Sequence, residues 1–159
     1  MKIGYFLSCE EFGPGELLEQ ARMADEAGFE GFWISDHYHP WVEAQGHSPL
    51  VWSVIGGLSQ VTSRLPVYTA VTCPTVRIHP AIIAQAAATS AVMLGSRFGL
   101  GVGSGEALNE HIFGDVWPSA RNPRPGREAA RREACTAWRS RRRSACPRDP
   151  SCRLPRADV

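Results

Sequence analysis

The densest group of residues able to do chemistry is Ser35-Asp36-His37-Tyr38-His39-Pro40-Trp41. An imidazole titrates close to neutral pH. His37, next to the carboxylate of Asp36, could therefore act as an acid or base, while Tyr38 and Trp41 offer a flat apolar wall. That set suits a proton or hydride site; the plain alternative is a solvated loop histidine. His37-x-His39 also has the spacing of a metal pair, since alternate residues of a strand face the same way. No later strand end supplies a further histidine, however, and no metal is expected.

A second group is the run Gly99-Leu-Gly-Val-Gly-Ser-Gly-Glu-Ala-Leu-Asn109-Glu110. Its glycines would let backbone come close to a ligand, and the amides of a following helix start could face phosphate. The spacing matches neither the dinucleotide fingerprint nor a nucleoside-triphosphate loop, which needs a lysine. The third group, Val71-Thr-Cys-Pro-Thr-Val-Arg77, reads by itself only as a turn, with Cys73 as easily packed as reactive.

Each group must be positioned by an element before it. Residues 2–8 form a short aromatic and β-branched run. The breaker Gly13-Pro14-Gly15 follows, then Leu17, Ala21 and Ala24 at helical spacing, closed by Gly28. The unit repeats. Residues 29–35 read as a strand, and Ser48-Pro49 as the N-cap and first-turn proline of a helix with Val51, Ile55 and Leu58 on one face. A third strand at 66–71 leads to a helix from about Pro80 carrying Ile83, Ala87, Ala91 and Leu94, and a fourth strand spans 98–102. The alternation calls for another helix after Trp117-Pro118, yet the sequence there has no helical or strand period.

Strands alternating with helices predict an α/β fold with a parallel sheet, and strands without polar alternation predict burial on both faces. A doubly wound sheet and a (β/α)8 barrel both produce this alternation, and both put their chemistry at the C-terminal ends of the strands. A barrel needs about 250 residues, so four strands would be half of one.

The 159 residues carry a net charge of +1 that hides an asymmetry. Residues 1–118 hold 5 basic against 12 acidic side chains, whereas residues 119–159 hold 12 arginines against 4 acids. This last segment has few large apolar residues and five prolines, too little to offset the entropy of ordering it. The expected organisation is a folded unit over 1–118 and an irregular Arg/Pro-rich tail over 119–159. The tail reads as out-of-frame translation of a GC-rich gene, with a basic arm for nucleic acid as the rival reading. Five cysteines without a Cys-x-x-Cys pair argue against a disulfide framework and a zinc ribbon. With no secretory leader and no run near the roughly 20 apolar residues of a membrane span, the expected location is cytoplasmic.

In order and spacing, Ser35-Asp36-His37-x-x-Pro40-Trp41, Val71-x-x-Pro74-Thr75-x-Arg77-x-x-Pro80-Ala81, Ile83-Ala-Gln-Ala86 and Gly101-Val-Gly-Ser-Gly-Glu106-Ala-Leu-Asn109-Glu110 resemble the luciferase-like oxidoreductase superfamily. More narrowly they resemble its coenzyme F420-dependent glucose-6-phosphate dehydrogenase group, over about residues 1–118. The resemblance implies a TIM barrel, of which this chain carries the N-terminal half, with the deazaflavin F420 lying across the strands' C-terminal ends. It implies His37 as the base that removes a hydroxyl proton, Trp41 as a wall of the site, and Glu106 as the acid that protonates the reduced ring. Asp36, Val71, Cys73, Ser104, Glu106 and Asn109 would lie against the cofactor, and the peptide before Val71 would be cis.

The implied reaction is hydride transfer from an alcohol or sugar carbon, with an FMN-dependent luciferase-like monooxygenase as the alternative. The intact family forms homodimers on small-molecule substrates, and no membrane or nucleic-acid partner follows from it. Later strands supply the family's sugar-phosphate contacts, so the substrate stays open. Half a barrel leaves two open sheet edges and an apolar inner face. A truncated, weakly active or inactive chain is therefore expected, with a non-catalytic fragment bearing an Arg-rich binding tail as the further alternative.

Overall fold

A computed structural model describes residues 2–74 and 76–112, together with Thr136. Thr75, the position of a helix after Pro118 and, apart from Thr136, the 119–159 tail lie outside the described residues. The elements run β1 (Tyr5–Leu7), α1 (Pro14–Ala27), β2 (Phe32–Ile34), α2 (Val51–Val61), β3 (Val67–Thr69), α3 (Pro80–Met93), β4 (Phe98–Gly99) and a short α4 (Ala107–Glu110). A single 3-10 turn, Glu43–Gln45, interrupts the β2–α2 connection.

Local chemistry sets the helix ends. Pro14 and Pro80 occupy first-turn positions that need no N–H donor, and Gly28 closes α1 in the left-handed region at φ 89°. The His79 imidazole caps α3, its Nδ1 accepting from the Ala81 amide at 3.1 Å. The start of α2 differs from expectation. Leu50 is its N-cap, and Ser48 instead turns its hydroxyl onto the His37 carbonyl at 2.6 Å. A longer-range bond to the β2 tip has outcompeted the local cap.

The sheet is parallel in the order β1-β2-β3-β4, with Tyr5, Phe32, Val67 and Phe98 in register. Every strand pairs with its successor and the order never reverses, which is barrel wall rather than a doubly wound sheet with its switch point. Burial is one-sided. Leu7, Phe32, Ile34, Val67 and Phe98 pack under the helices against Leu17, Ala21, Ile55, Leu58 and Ala87. The opposite face carries Phe6, Trp33 and Tyr68, all exposed, so the expected burial on both faces does not hold in this chain. Trp33 and Tyr68 stack at 6.1 Å, and each lies where a neighbouring glycine, Gly4 or Gly99, has no side chain.

The lower rim is tied by side chains. Asp25 accepts from the Ser63 and Leu65 amides, and Arg97 donates to the Thr62 and Leu65 carbonyls. Among the described residues no helix is long and apolar enough to cross a membrane.

Candidate active site

The C-terminal tips of all four strands meet on one side of the sheet. At the tip of β1, Glu10 is 3% exposed, and three other groups close on its carboxylate. The Ser35 hydroxyl donates to Oε2 at 2.7 Å, the Ser8 hydroxyl donates to the same oxygen at 3.0 Å, and His37 Nδ1 stands 2.9 Å from Oε1. This last approach is oblique, at ion-pair distance but out of line for a well-aligned hydrogen bond. Burial alone would raise the acid's pKa. The interactions with His37, Ser35, its own backbone amide and Ser8 outweigh it and hold Glu10 at about 2, below its ordinary 4.5.

Glu10 is the functional candidate that sequence reading missed. The signal was available, since Ser8-Cys9-Glu10-Glu11 directly follows the first strand, where this architecture places chemistry. The pair resembles solvated loop charge, and only the fold separates buried Glu10 from exposed Glu11.

His37 meets Trp41 edge-to-face at 4.8 Å, and both line an open cleft of about 680 Å³ with Phe6, Glu10, Ser35 and Ala70. His39 packs on Tyr38 instead, and no three His, Cys, Asp or Glu side chains converge as a metal set among the described residues. Asn109 ties the loop after β2 to α4. Its Oδ1 accepts from the Tyr38 and His39 amides at 2.6 and 2.8 Å, and its Nδ2 donates to Glu106 Oε1. Glu106 is thus bound to the His37 loop through one side chain.

Next to His37 in sequence, Asp36 is 3% exposed and held by Arg77, which also reaches Glu110. Asp36 Oδ2 and Thr72 Oγ1 are buried without a partner. The Ala70-Val71 peptide is cis, as the family resemblance implies. Val71 is exposed and sits against Gly103, which also approaches Cys73 Sγ; Ser104 is exposed on the loop before α4.

A Cβ on Gly101 would run into the Thr69 carbonyl, and one on Gly103 into Val71, so these two glycines make room for the tip of β3.

Burial, before all else, pushes the Cys73 thiol up to about 12, with Glu110, Glu106 and Asp36 adding to it and Arg77 opposing. Burial does the same to Cys9. Both are packed thiols. At pH 8 the folded chain should leave Cys9 and Cys73 unlabelled by an aromatic disulfide reagent, and denatured chain should label both, as read by mass spectrometry of peptides. Prompt labelling of Cys73 in folded chain would contradict this.

The chain is similar to known proteins in sequence and fold. The sequence profile of the luciferase-like monooxygenase family matches residues 1–144, running past the boundary that charge asymmetry sets at 118. An F420-dependent glucose-6-phosphate dehydrogenase of Microbacterium testaceum is 46% identical over 120 residues, covering 76% of this chain and 36% of the relative. One of Amycolatopsis mediterranei is 44% identical over 119 residues, again 36% of its length. The chain thus spans about a third of the curated relatives it matches. A solved F420-dependent secondary alcohol dehydrogenase, in complex with an F420-acetone adduct, superposes with a TM-score of 0.77 at 40% identity over 87% of this chain and 41% of its own. A coenzyme F420-dependent tetrahydromethanopterin reductase from Methanopyrus kandleri, at 24% identity and TM-score 0.68, shares the fold. By profile, by relatives and by the order of its strands, the chain belongs to the luciferase-like monooxygenase family.

Proposed function

We propose that this chain carries the cofactor-side part of an F420-dependent dehydrogenase that oxidises the hydroxyl carbon of an alcohol or sugar. One observation carries the reading: an ionised, buried Glu10 set 2.9 Å from His37 Nδ1 at the wall of a cleft over the strand tips. The similarity to F420-dependent glucose-6-phosphate and secondary alcohol dehydrogenases supports it.

The cleft at His37 falls within the ~300–1,000 Å³ typical of cofactor sites, and its lining residues Ser35, His37 and Ala70 adjoin Asp36 and Val71 in sequence. Asp36 Oδ2 and Thr72 Oγ1 are buried polar atoms with no partner, a state costing about 1–3 kcal/mol each that a ligand's polar edge would relieve. Asp36, Val71, Cys73, Ser104, Glu106 and Asn109 are the residues proposed to hold it.

Bound F420 would supply the hydride acceptor. Glu10, ionised at neutral pH, faces the Nδ1 edge of His37 at ion-pair distance, and Nε2 is the nitrogen proposed to take the substrate's hydroxyl proton. Trp41 lies edge-to-face with the imidazole and shields it from water. Glu106 Oε1 is engaged by Asn109, so Oε2 is the oxygen that carries and passes on a proton.

Fluorescence titration of the chain with F420 and with FMN tests the reading. Saturable F420 binding is expected, at least tenfold tighter than FMN and changed less than about threefold by His37→Ala. Turnover with F420 and an alcohol should stay well under the ordinary enzyme range of roughly 1–100 per second. Preference for FMN would support the monooxygenase alternative, and binding of neither would end the cofactor assignment.

A further inference from the structure

Arg77 sits on the loop after β3 with its side chain 8% exposed, and its guanidinium reaches the tip of β2 and the end of α4. Nη2 donates to the Asp36 carbonyl at 2.9 Å and to Asp36 Oδ1 at 3.2 Å, while Nε donates to Glu110 Oε1 at 3.4 Å. Both carboxylates are buried: the Asp36 side chain is 2% exposed and that of Glu110 0%. The carbonyl that Arg77 holds belongs to the peptide joining Asp36 to His37. Glu110 is next in sequence to Asn109, which grips the Tyr38 and His39 amides. The 36–39 segment is therefore held from both ends, by Arg77 at its start and by Asn109 past its middle, and both holds lead to α4.

We propose that Arg77 is the positioning residue of this site: one guanidinium locks the β2 tip to α4, setting the placement of His37 relative to Glu106 and keeping Asp36 Oδ2 turned toward a ligand. The proposal rests on the reading of His37 and Glu106 as the acid-base pair. The geometry is particular to arginine. Its planar fork can serve a carbonyl and two carboxylates at once, whereas an ammonium is a point charge. Without it, the buried carboxylate of Asp36 at the β2 tip would lose its guanidinium partner and its tie to α4, and weakening the pairing of a buried charge loosens its surroundings. Oδ1 is committed to Arg77 and Oδ2 is not, so the clamp also fixes which oxygen of Asp36 is available.

Arg97 provides the control. It makes a comparable set of hydrogen bonds, to Thr62 and Leu65, at the opposite rim. Arg77→Met, Arg77→Lys and Arg97→Met would be compared in the full chain by thermal unfolding, amide hydrogen exchange at Tyr38 and His39, the ¹⁵N resonances of the His37 imidazole, and F420 titration. Both methionine variants should melt earlier. Only Arg77→Met should speed exchange at Tyr38 and His39 by tenfold or more, shift the His37 resonances and weaken F420 binding at least tenfold, with Arg77→Lys recovering part of each.

Should Arg77→Met fail to fold, the lysine variant carries the test, with roughly threefold faster exchange expected at the same two amides. Unchanged exchange and resonances in a folded Arg77 variant overturn the proposal, as does an equal response to Arg97→Met. If wild-type chain binds no F420, the cofactor reading falls, while exchange and resonances still judge Arg77.

Discussion

Gly101→Ala should cost more than about 3 kcal/mol, in the far tail of single substitutions. The added Cβ would stand well inside 3.0 Å of the Thr69 carbonyl oxygen, which is backbone and cannot swing aside. The damage would spread, because Gly101 is bonded three ways to the β3 tip. Its carbonyl accepts from the Thr72 amide and the Thr69 hydroxyl, and its amide donates back to that hydroxyl. At about 4–8 °C per kcal/mol for a unit of this size, the melting temperature should fall by more than roughly 12 °C. Gly15 is the contrast. It lies inside α1 with nothing within 4 Å of an added Cβ, so Gly15→Ala should stabilise by about 0.5–1 kcal/mol. A Gly101→Ala chain melting within 3 °C of wild type, by roughly the same scale, would show that the β3 and β4 tips are not in contact as described.

Acid should remove a comparable amount of stability, and Glu10 should account for most of it. Its folded pKa of about 2 lies below its ordinary 4.5, so the proton binds the unfolded chain more readily. The resulting stabilisation is fully present above pH 4.5 and disappears as pH falls through 4.5 toward 2. The gap corresponds to on the order of 3 kcal/mol. Urea midpoints at a series of pH values from 7 to 2 would measure it. Glu10→Gln keeps the shape but not the charge, so the variant should be less stable at pH 7 and approach wild type near pH 2. Curves that run parallel across the whole range would place the acid lability elsewhere.

The fold was largely legible in the sequence because its signals are local. Pro14, Gly28, Pro80 and Gly95 mark helix limits within a few residues, and Leu17, Ala21 and Ala24 reveal a face by spacing alone. Barrel and doubly wound sheet separate only on strand order, which no local pattern encodes. The grouping of the candidate site's residues was legible where a motif is dense, as at Asp36-His37 and Glu106 to Asn109, which the structure brings together through Asn109. It was obscure where a residue works at long range. Glu10 meets His37 and Ser35, and Arg77 meets Asp36 and Glu110, each across tens of residues of chain. Ser48 misled for the same reason, since a strong local cap signal was overridden by a carbonyl eleven residues away. The inner aromatics Phe6, Trp33 and Tyr68 read as core because their exposure depends on what lies across the sheet, not on neighbours in sequence.

Among the described residues, each strand after the first pairs with the one made just before it. On a ribosome, β1 can dock β2 once α1 has emerged, and β3 and β4 can each add to an edge already standing. The wall therefore grows in the direction of synthesis, and its newest edge is always the one that the nascent chain is about to meet.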